Sequence, residues 1–235
     1  MKSVAIILAA GQGKRMQTDV SKQYLLLKDR PVLYYTLEAF EKSCVDEVIL
    51  VTGANETEYC RQEIVEQYGF QKVSRIVAGG RERYHSVARG METIGTDCEY
   101  VLIHDGARPF VTPEIIAQAL EGAKKYEACV VAVPAKDTVR IADAQGFSAE
   151  TPARASVWLM QTPQAFSFPV ARESYRRLIE DEEKLKVQGV QITDDVMAVE
   201  FFTGKKAKFI MGTYTNIKIT TPEDLLFAEL LAEHV

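Results

Sequence analysis

Cysteine and histidine are scarce in this 235-residue chain: four of the first and three of the second. Cys44, Cys60, Cys98 and Cys129 form no C-x-x-C pair and are widely spaced, which argues against a zinc site. Isolated thiols of this kind read as buried and free, as in a reducing cytoplasm. Long hydrophobic runs are also missing. The opening MKSVAIILAAG is too short to cross a bilayer, and Gln and Lys follow at once. It reads as a first core strand of a cytosolic protein with no membrane partner. Positive charge is not in excess either. A formal net charge of -5 argues against a dedicated nucleic-acid binder, so any phosphate-binding function must rest on a local cluster of cations. No internal repeat, low-complexity tract or flexible linker interrupts the chain, which reads as one domain, 1–235.

What is present is an alternation. SVAIILAA (3–10), EVILVTG (47–53), KVSRIVAGG (72–80), YVLIHDGA (100–107) and CVVAVPAKD (129–137) have the length of buried parallel strands. Between them, PVLYYTLEAFEKS and ETEYCRQEIVEQYG have helical spacing, and TPEIIAQALEGAKKYE opens with Thr112 as N-cap and Pro113 at the first helical position. Strand alternating with helix implies an α/β fold, a Rossmann-like, mostly parallel sheet with helices on both faces. After residue 137 the pattern changes. TVRIADAQGFSAETPARASVWLMQTPQAF has strand-like pieces around Gln145-Gly146 and reads as a protruding β-arm at about 137–160. A hairpin cannot bury both its faces alone, so a second copy of the chain is the expected partner. Helices over VARESYRRLIEDEEKL and VQITDDVMAVEFFTG follow, then strands over KAKFIMG and NIKIT. A closing helix is capped by Thr221, Pro222 and Asp224.

Four stretches carry chemistry. In open parallel sheets ligands sit at the carboxyl ends of the strands, where glycine turns expose backbone N–H groups. The opening loop, A9-A10-G11-Q12-G13-K14-R15-M16, fits neither G-x-G-x-x-G nor G-x-x-x-x-G-K-[ST]. It leaves a glycine turn with Arg15 and Lys22 after it, which suits an anion and equally suits an ordinary turn with solvated cations. In HDGARPF, Asp105 breaks an apolar strand where its tip should open to a site, as a Mg²⁺ ligand or as a turn cap. Arg108 could meet a second anion or pair with a carboxylate, and His104 reads as a structural core group. AGGRERYHSV offers Gly79, Gly80 and Ser86 at another strand-to-helix turn. In NIKIT, alternation sets Lys218 opposite Ile217 and Ile219, facing a cleft or snorkelling at an edge.

Taken together, AAGQGKRM…KQY, GGRERYHSV, HDGARPF, VPAKDTVR, QTPQAF, TDD and TNIKITTPEDL resemble, in this order and over essentially the whole chain, the 2-C-methyl-D-erythritol 4-phosphate cytidylyltransferase family. The resemblance implies a reaction of CTP with methylerythritol phosphate, giving the CDP-linked alcohol and pyrophosphate with Mg²⁺. It implies that Ala9, Ala10, Gly11 and Gly13 wrap CTP, with Gly106 beside them. Arg15 and Lys22 would bind its phosphates, and Gly80, Arg81 and Ser86 would face base and ribose, with Arg83 supporting that loop. Asp105 would hold the metal. Arg108, Thr138, Arg154, Thr193 and Lys218 would grip methylerythritol phosphate, Lys218 also close to the α-phosphate. Arg15, Lys22, Arg154 and Lys218 form the implied catalytic group, and the arm makes a homodimer in which Arg154 reaches the partner's site. Arg81 departs from the family's acidic or small residue and is expected to act through its backbone. The rivals are a ribitol 5-phosphate cytidylyltransferase, a dinucleotide oxidoreductase and a non-catalytic nucleotide-binding regulator. The loop spacing disfavours the second, and the joint presence of Arg15, Lys22, Asp105 and Lys218 disfavours the third.

Overall fold

The structure, a computed structural model, describes residues 1–11, 16 and 21–233. The five apolar runs all form strands: β1 (Lys2–Ala9), β2 (Glu47–Thr52), β3 (Val73–Ala78), β4 (Cys98–Asp105) and β5 (Ala128–Pro134). Two more, β6 (Trp158–Ser167) and β7 (Lys208–Met211), complete a seven-stranded sheet of order β7-β5-β6-β4-β1-β2-β3. Pairing is parallel except at β6, which runs antiparallel to both β4 and β5. The continuous apolar runs are explained by burial on both faces. Side chains alternate across each strand. Ala5, Ile7, Leu50, Leu102 and Val131 face one layer, whereas Val4, Ile6, Ile49, Ile103 and Val130 face the other.

The first layer is closed by α1 (Val32–Glu41), whose Leu33, Leu37 and Phe40 share one face, and by α3 (Pro113–Tyr126). The second is closed by α2 (Arg83–Glu92), α4 (Phe168–Glu180) and α5 (Asp195–Thr203). Each aliphatic side chain buried here contributes about 1.5–3 kcal/mol. The expected caps are in place. Thr112 Oγ1 accepts from Ile115 N, and Thr221 and Asp224 cap α6 (Pro222–Leu231) reciprocally. The segment ETEYCRQEIVEQYG is helical, beginning at Thr57–Tyr59 and continuing with π-type bonding over Cys60–Glu66.

Parallel register aligns the strand ends. Leu8 pairs with Asp105, Ala9 with Thr52, and Thr52 with Ala78. The turns after β1, β3 and β4 therefore share one edge of the sheet.

Three expectations change. NIKIT forms no strand, because side chains take its backbone groups instead of a ladder: Arg108 donates to Asn216 O, and only Ile219 N finds a main-chain acceptor across the fold, at Ala107 O. Ile219 pins the segment by packing with Leu27, Val32, Phe110 and Ala228. The arm ends earlier than expected, since Trp158 already pairs with Pro134 in the central sheet. Its tip is a short ladder of Ile141–Ala142 with Ser148–Glu150. That ladder turns at Asp143–Gly146, where Gly146 adopts φ +87°. Finally, Cys60, Cys98 and Cys129 are buried and unpaired, but Cys44 is exposed beyond the end of α1.

Candidate active site

The shared edge forms a cleft of about 550 Å³. Three walls meet in it: the opening turn with Ala10, Gly11 and Lys22, the 79–86 turn, and the tips carrying Asp105 and Lys218. Close backbone approach explains the paired glycines. A Cβ on Gly79 would stand 2.5 Å from that of Ala10, and one on Gly80 would collide with His85. The turn is fixed by Gly80 N donating to Ser86 Oγ at 3.0 Å and by a reciprocal cap between Glu82 and His85.

Charge is arranged in a chain from the surface inward. Lys218 Nζ donates to Asp105 Oδ2 at 2.7 Å, and Arg83 Nε donates to Oδ1 at 3.3 Å. The other two nitrogens of Arg83 form a fork onto Asp195, at 2.6 and 2.8 Å. Asp195 is fully buried and also accepts from the hydroxyl of Tyr175. Burial alone would raise the Asp105 carboxyl, but the attraction of Arg83, Lys218 and Arg108 holds it well below its ordinary value. Burial opposes the charge on Arg83, and Asp195 and Asp105 more than reverse that, keeping it firmly cationic. The site thus holds an ionised carboxylate between two cations, a setting that suits phosphate groups.

Among the described residues no three His, Cys, Asp or Glu lie together to hold a metal ion. A Mg²⁺ ion, which takes one or two carboxylates and fills its shell with water and phosphate oxygens, would find a carboxylate donor in the cleft lining at Asp105.

The cleft lining brings together Ala10, Gly11, Lys22, Gly80, Arg81, Ser86, Asp105 and Lys218. Ala9 lies just behind, 2% exposed, and Gly106 N donates to Leu8 O. Gly13 and Arg15 fall outside the described residues. Arg81 turns its guanidinium to Glu182 at 2.8 Å. Arg108 is directed inward. Its Nη1 donates to Asn216 O at 2.7 Å and its Nε is a buried donor with no protein partner, so it anchors the segment that presents Lys218. Thr193 lines a neighbouring cavity of about 400 Å³ with Glu82, Tyr84 and Glu182. Thr138 and Arg154 are exposed on the arm, where Arg154 donates to Lys136 O at 3.5 Å.

His104 has the structural role read from the sequence. It is fully buried against Thr162 Oγ1, and burial pushes it down to about 3. The same Thr162 hydroxyl accepts from Asp105 N.

Asp195, Thr162 and Glu182 were not singled out by sequence reasoning. The second acid of TDD, opening the apolar helix DVMAVEFF behind the N-cap Asp194, is the signal that could have marked Asp195. Glu182 lies in the acidic run EDEEK, which looks like any solvated helix start.

A mostly parallel sheet with glycine turns, cations and one ionised carboxylate gathered at its carboxyl edge defines a nucleotide-handling transferase of the Rossmann-like type. The family model for 2-C-methyl-D-erythritol 4-phosphate cytidylyltransferase matches residues 3–234. A protein of that name from Lachnoclostridium phytofermentans is 50% identical over 99% of this chain and 97% of its own length. One from Alkaliphilus oremlandii is 45% identical over 97% and 94%. Among solved structures, 4-diphosphocytidyl-2C-methyl-D-erythritol synthase from Anaerococcus prevotii superposes with a TM-score of 0.85 at 34% identity, covering 99% of this chain and 96% of that one. The chain belongs to the 2-C-methyl-D-erythritol 4-phosphate cytidylyltransferase family, and it is a nucleotidyltransferase. The relatives support methylerythritol phosphate and not ribitol phosphate as the acceptor.

Proposed function

We propose that the chain joins CTP to 2-C-methyl-D-erythritol 4-phosphate, giving 4-diphosphocytidyl-2-C-methyl-D-erythritol and pyrophosphate for isoprenoid precursor synthesis. The observation that carries this reading is the Lys218–Asp105–Arg83 chain, facing Lys22 and two glycine turns across one cleft.

An oxygen of the acceptor phosphate attacks the α-phosphorus of CTP. The new P–O bond forms as the bond to the bridging oxygen of the β-phosphate breaks, and pyrophosphate leaves with that electron pair. A phosphate monoester loses its second proton near pH 6, at about neutrality or just below, so the nucleophile needs no general base. This suits a cleft whose two neighbouring histidines are engaged elsewhere: His104 is fully buried, and His85 is turned to Glu182. The obstacle is the mutual repulsion of two polyanions. Positioning and charge stabilisation overcome it in phosphoryl-type transfer.

Lys22 and Arg15 serve the CTP phosphates. Lys218, already held by Asp105, meets the acceptor phosphate and the charge growing on the α-phosphate. The backbone of Gly11, Gly80 and Arg81 and the hydroxyl of Ser86 receive the nucleoside. Asp105 would hold Mg²⁺, which when bound would supply further neutralisation of the triphosphate. Thr138, Thr193 and Arg108 belong to the acceptor side.

The arm brings Arg154 to a partner's cleft in a homodimer. Its exposed apolar side chains, Phe147 at 73% and Ile141 at 48%, favour such a contact. No helix among the described residues is long and apolar enough to cross a membrane. Together with unpaired thiols, that supports a cytoplasmic location.

Pyrophosphate release, measured with CTP and either methylerythritol 4-phosphate or ribitol 5-phosphate, tests the reading. Turnover with the first acceptor that EDTA abolishes and Mg²⁺ restores is expected. Equal turnover with both acceptors would overturn the acceptor assignment, and metal-independent turnover would overturn the role of Asp105.

A further inference from the structure

Glu182 begins the short helix Glu182–Val187, far from the cleft in sequence. Its carboxylate nevertheless collects contacts from the turn that lines the cleft. Arg81 Nη2 donates to it at 2.8 Å and the Tyr84 hydroxyl at 2.9 Å, and His85 Nε2 lies 3.0 Å from Oε2. The His85 contact has a defined direction. Nδ1 accepts from Glu82 N at 3.3 Å, so the proton of the neutral ring sits on Nε2 and is donated to Glu182. Lys186, one helical turn along, adds a fourth contact at 2.7 Å.

The Glu182 carboxyl is held down at about 2, chiefly by the bond from Lys186, with Tyr84 and His85 adding to it against the opposing effect of burial. A single ionised group therefore ties three residues of a seven-residue span whose remaining members, Gly80, Glu82, Arg83 and Ser86, line the cleft. Thirteen residues further on, at the start of α5, Asp195 grips Arg83 of the same turn. The 181–195 stretch thus braces the 79–86 turn at two points.

We propose that Glu182 is a positioning residue for the nucleotide: it holds the 79–86 turn in the shape that receives CTP and draws the Arg81 side chain out of the cleft. The inference rests on the CTP reading given above. Without the carboxylate, the turn must be ordered on binding, and the loss falls on nucleotide affinity and not on the chemical step.

Calorimetric titration of the Mg²⁺-supplemented protein with CTP, alongside steady-state kinetics, tests this. Glu182→Ala should raise the CTP Kd about tenfold and leave kcat at saturating CTP and the acceptor KM within about twofold of wild type. Arg81→Ala added to Glu182→Ala should weaken CTP no further, because both act through one contact. Lys186→Ala, which touches Glu182 only from its own helix, should leave the CTP Kd unchanged. A Glu182→Ala protein that binds CTP as wild type does, or that loses kcat with an unaltered CTP Kd, overturns the proposal. Wild-type protein that binds no CTP overturns the CTP reading itself. Normal wild-type binding with an indifferent Glu182→Ala variant overturns only the role of Glu182.

Discussion

Replacing Arg83 by Ala strands the most deeply buried charge beside the site. Asp195 has no solvent exposure, and its cationic contact is the Arg83 fork at 2.6 and 2.8 Å, leaving the Tyr175 hydroxyl as its side-chain donor. Removing one partner of a buried ion pair costs about 3–5 kcal/mol, because the remaining charge is uncompensated. For a chain of this size each kcal/mol shifts the melting temperature by a few degrees, so Arg83→Ala should melt roughly 6–20 °C lower. Thermal and urea unfolding followed by far-UV circular dichroism give both quantities. Arg83→Lys should fall between wild type and Ala, since an ammonium cannot serve Asp195 with a planar fork while reaching Asp105. The decisive variant is Arg83→Ala with Asp195→Asn, which removes the stranded charge and should recover much of the loss. An Arg83→Ala protein within about 1 kcal/mol of wild type, well inside the range for exposed substitutions, refutes the reasoning. So does a double variant no more stable than the single one.

Lys22→Ala and Lys218→Ala should each lower kcat at saturating substrates by about a hundredfold, the scale of one lost transition-state contact, as read by pyrophosphate release. An unchanged kcat removes the residue from the catalytic group. The pH dependence of folding should carry the mark of His104. Its folded value of about 3 lies below the ordinary 6.5, so the unfolded chain takes up the proton first. Its contribution is therefore complete above pH 6.5 and falls by up to about 1.4 kcal/mol per pH unit below it, until pH nears the folded value. His104→Gln should flatten urea-derived stability between about pH 6 and 5, above the range in which carboxylates titrate; a slope the substitution leaves intact would refute the assignment. Phe147→Asp on the arm should shift the protein toward monomer in analytical ultracentrifugation and lower turnover, whereas an unaltered sedimentation profile would remove Phe147 from the interface.

Much of the fold was legible because parallel strands buried on both faces must be apolar throughout, as SVAIILAA and EVILVTG are. The Thr-Pro starts of α3 and α6 announced themselves by cap chemistry alone. β6 was harder to see. It buries Gln161, Thr162 and Gln164, each bonded across the fold, so its polar run looks nothing like a core strand. NIKIT misled in the opposite sense, with the alternation of a strand and none of the pairing. Asp105, Lys218 and the glycine turns could be found because each interrupts a local pattern. The Arg83–Asp195 fork could not, since it joins positions 112 apart, and no local pattern records a contact at that distance. The bond from Arg108 to Asn216 O was equally hidden, because sequence shows charge but not the direction in which a side chain points.

The arm's connectivity carries an engineering consequence. β5 and β6 are adjacent and antiparallel, with Pro134 opposite Trp158 and Ala135 N bonded to Val157 O, so the whole arm is the loop of one long hairpin. Residues 136–156 can therefore be exchanged for a tight two-residue turn without moving any sheet partner. Such a shortened chain would have every core layer of the parent and would lack the arm through which the dimer is proposed, so that folding could be measured apart from assembly.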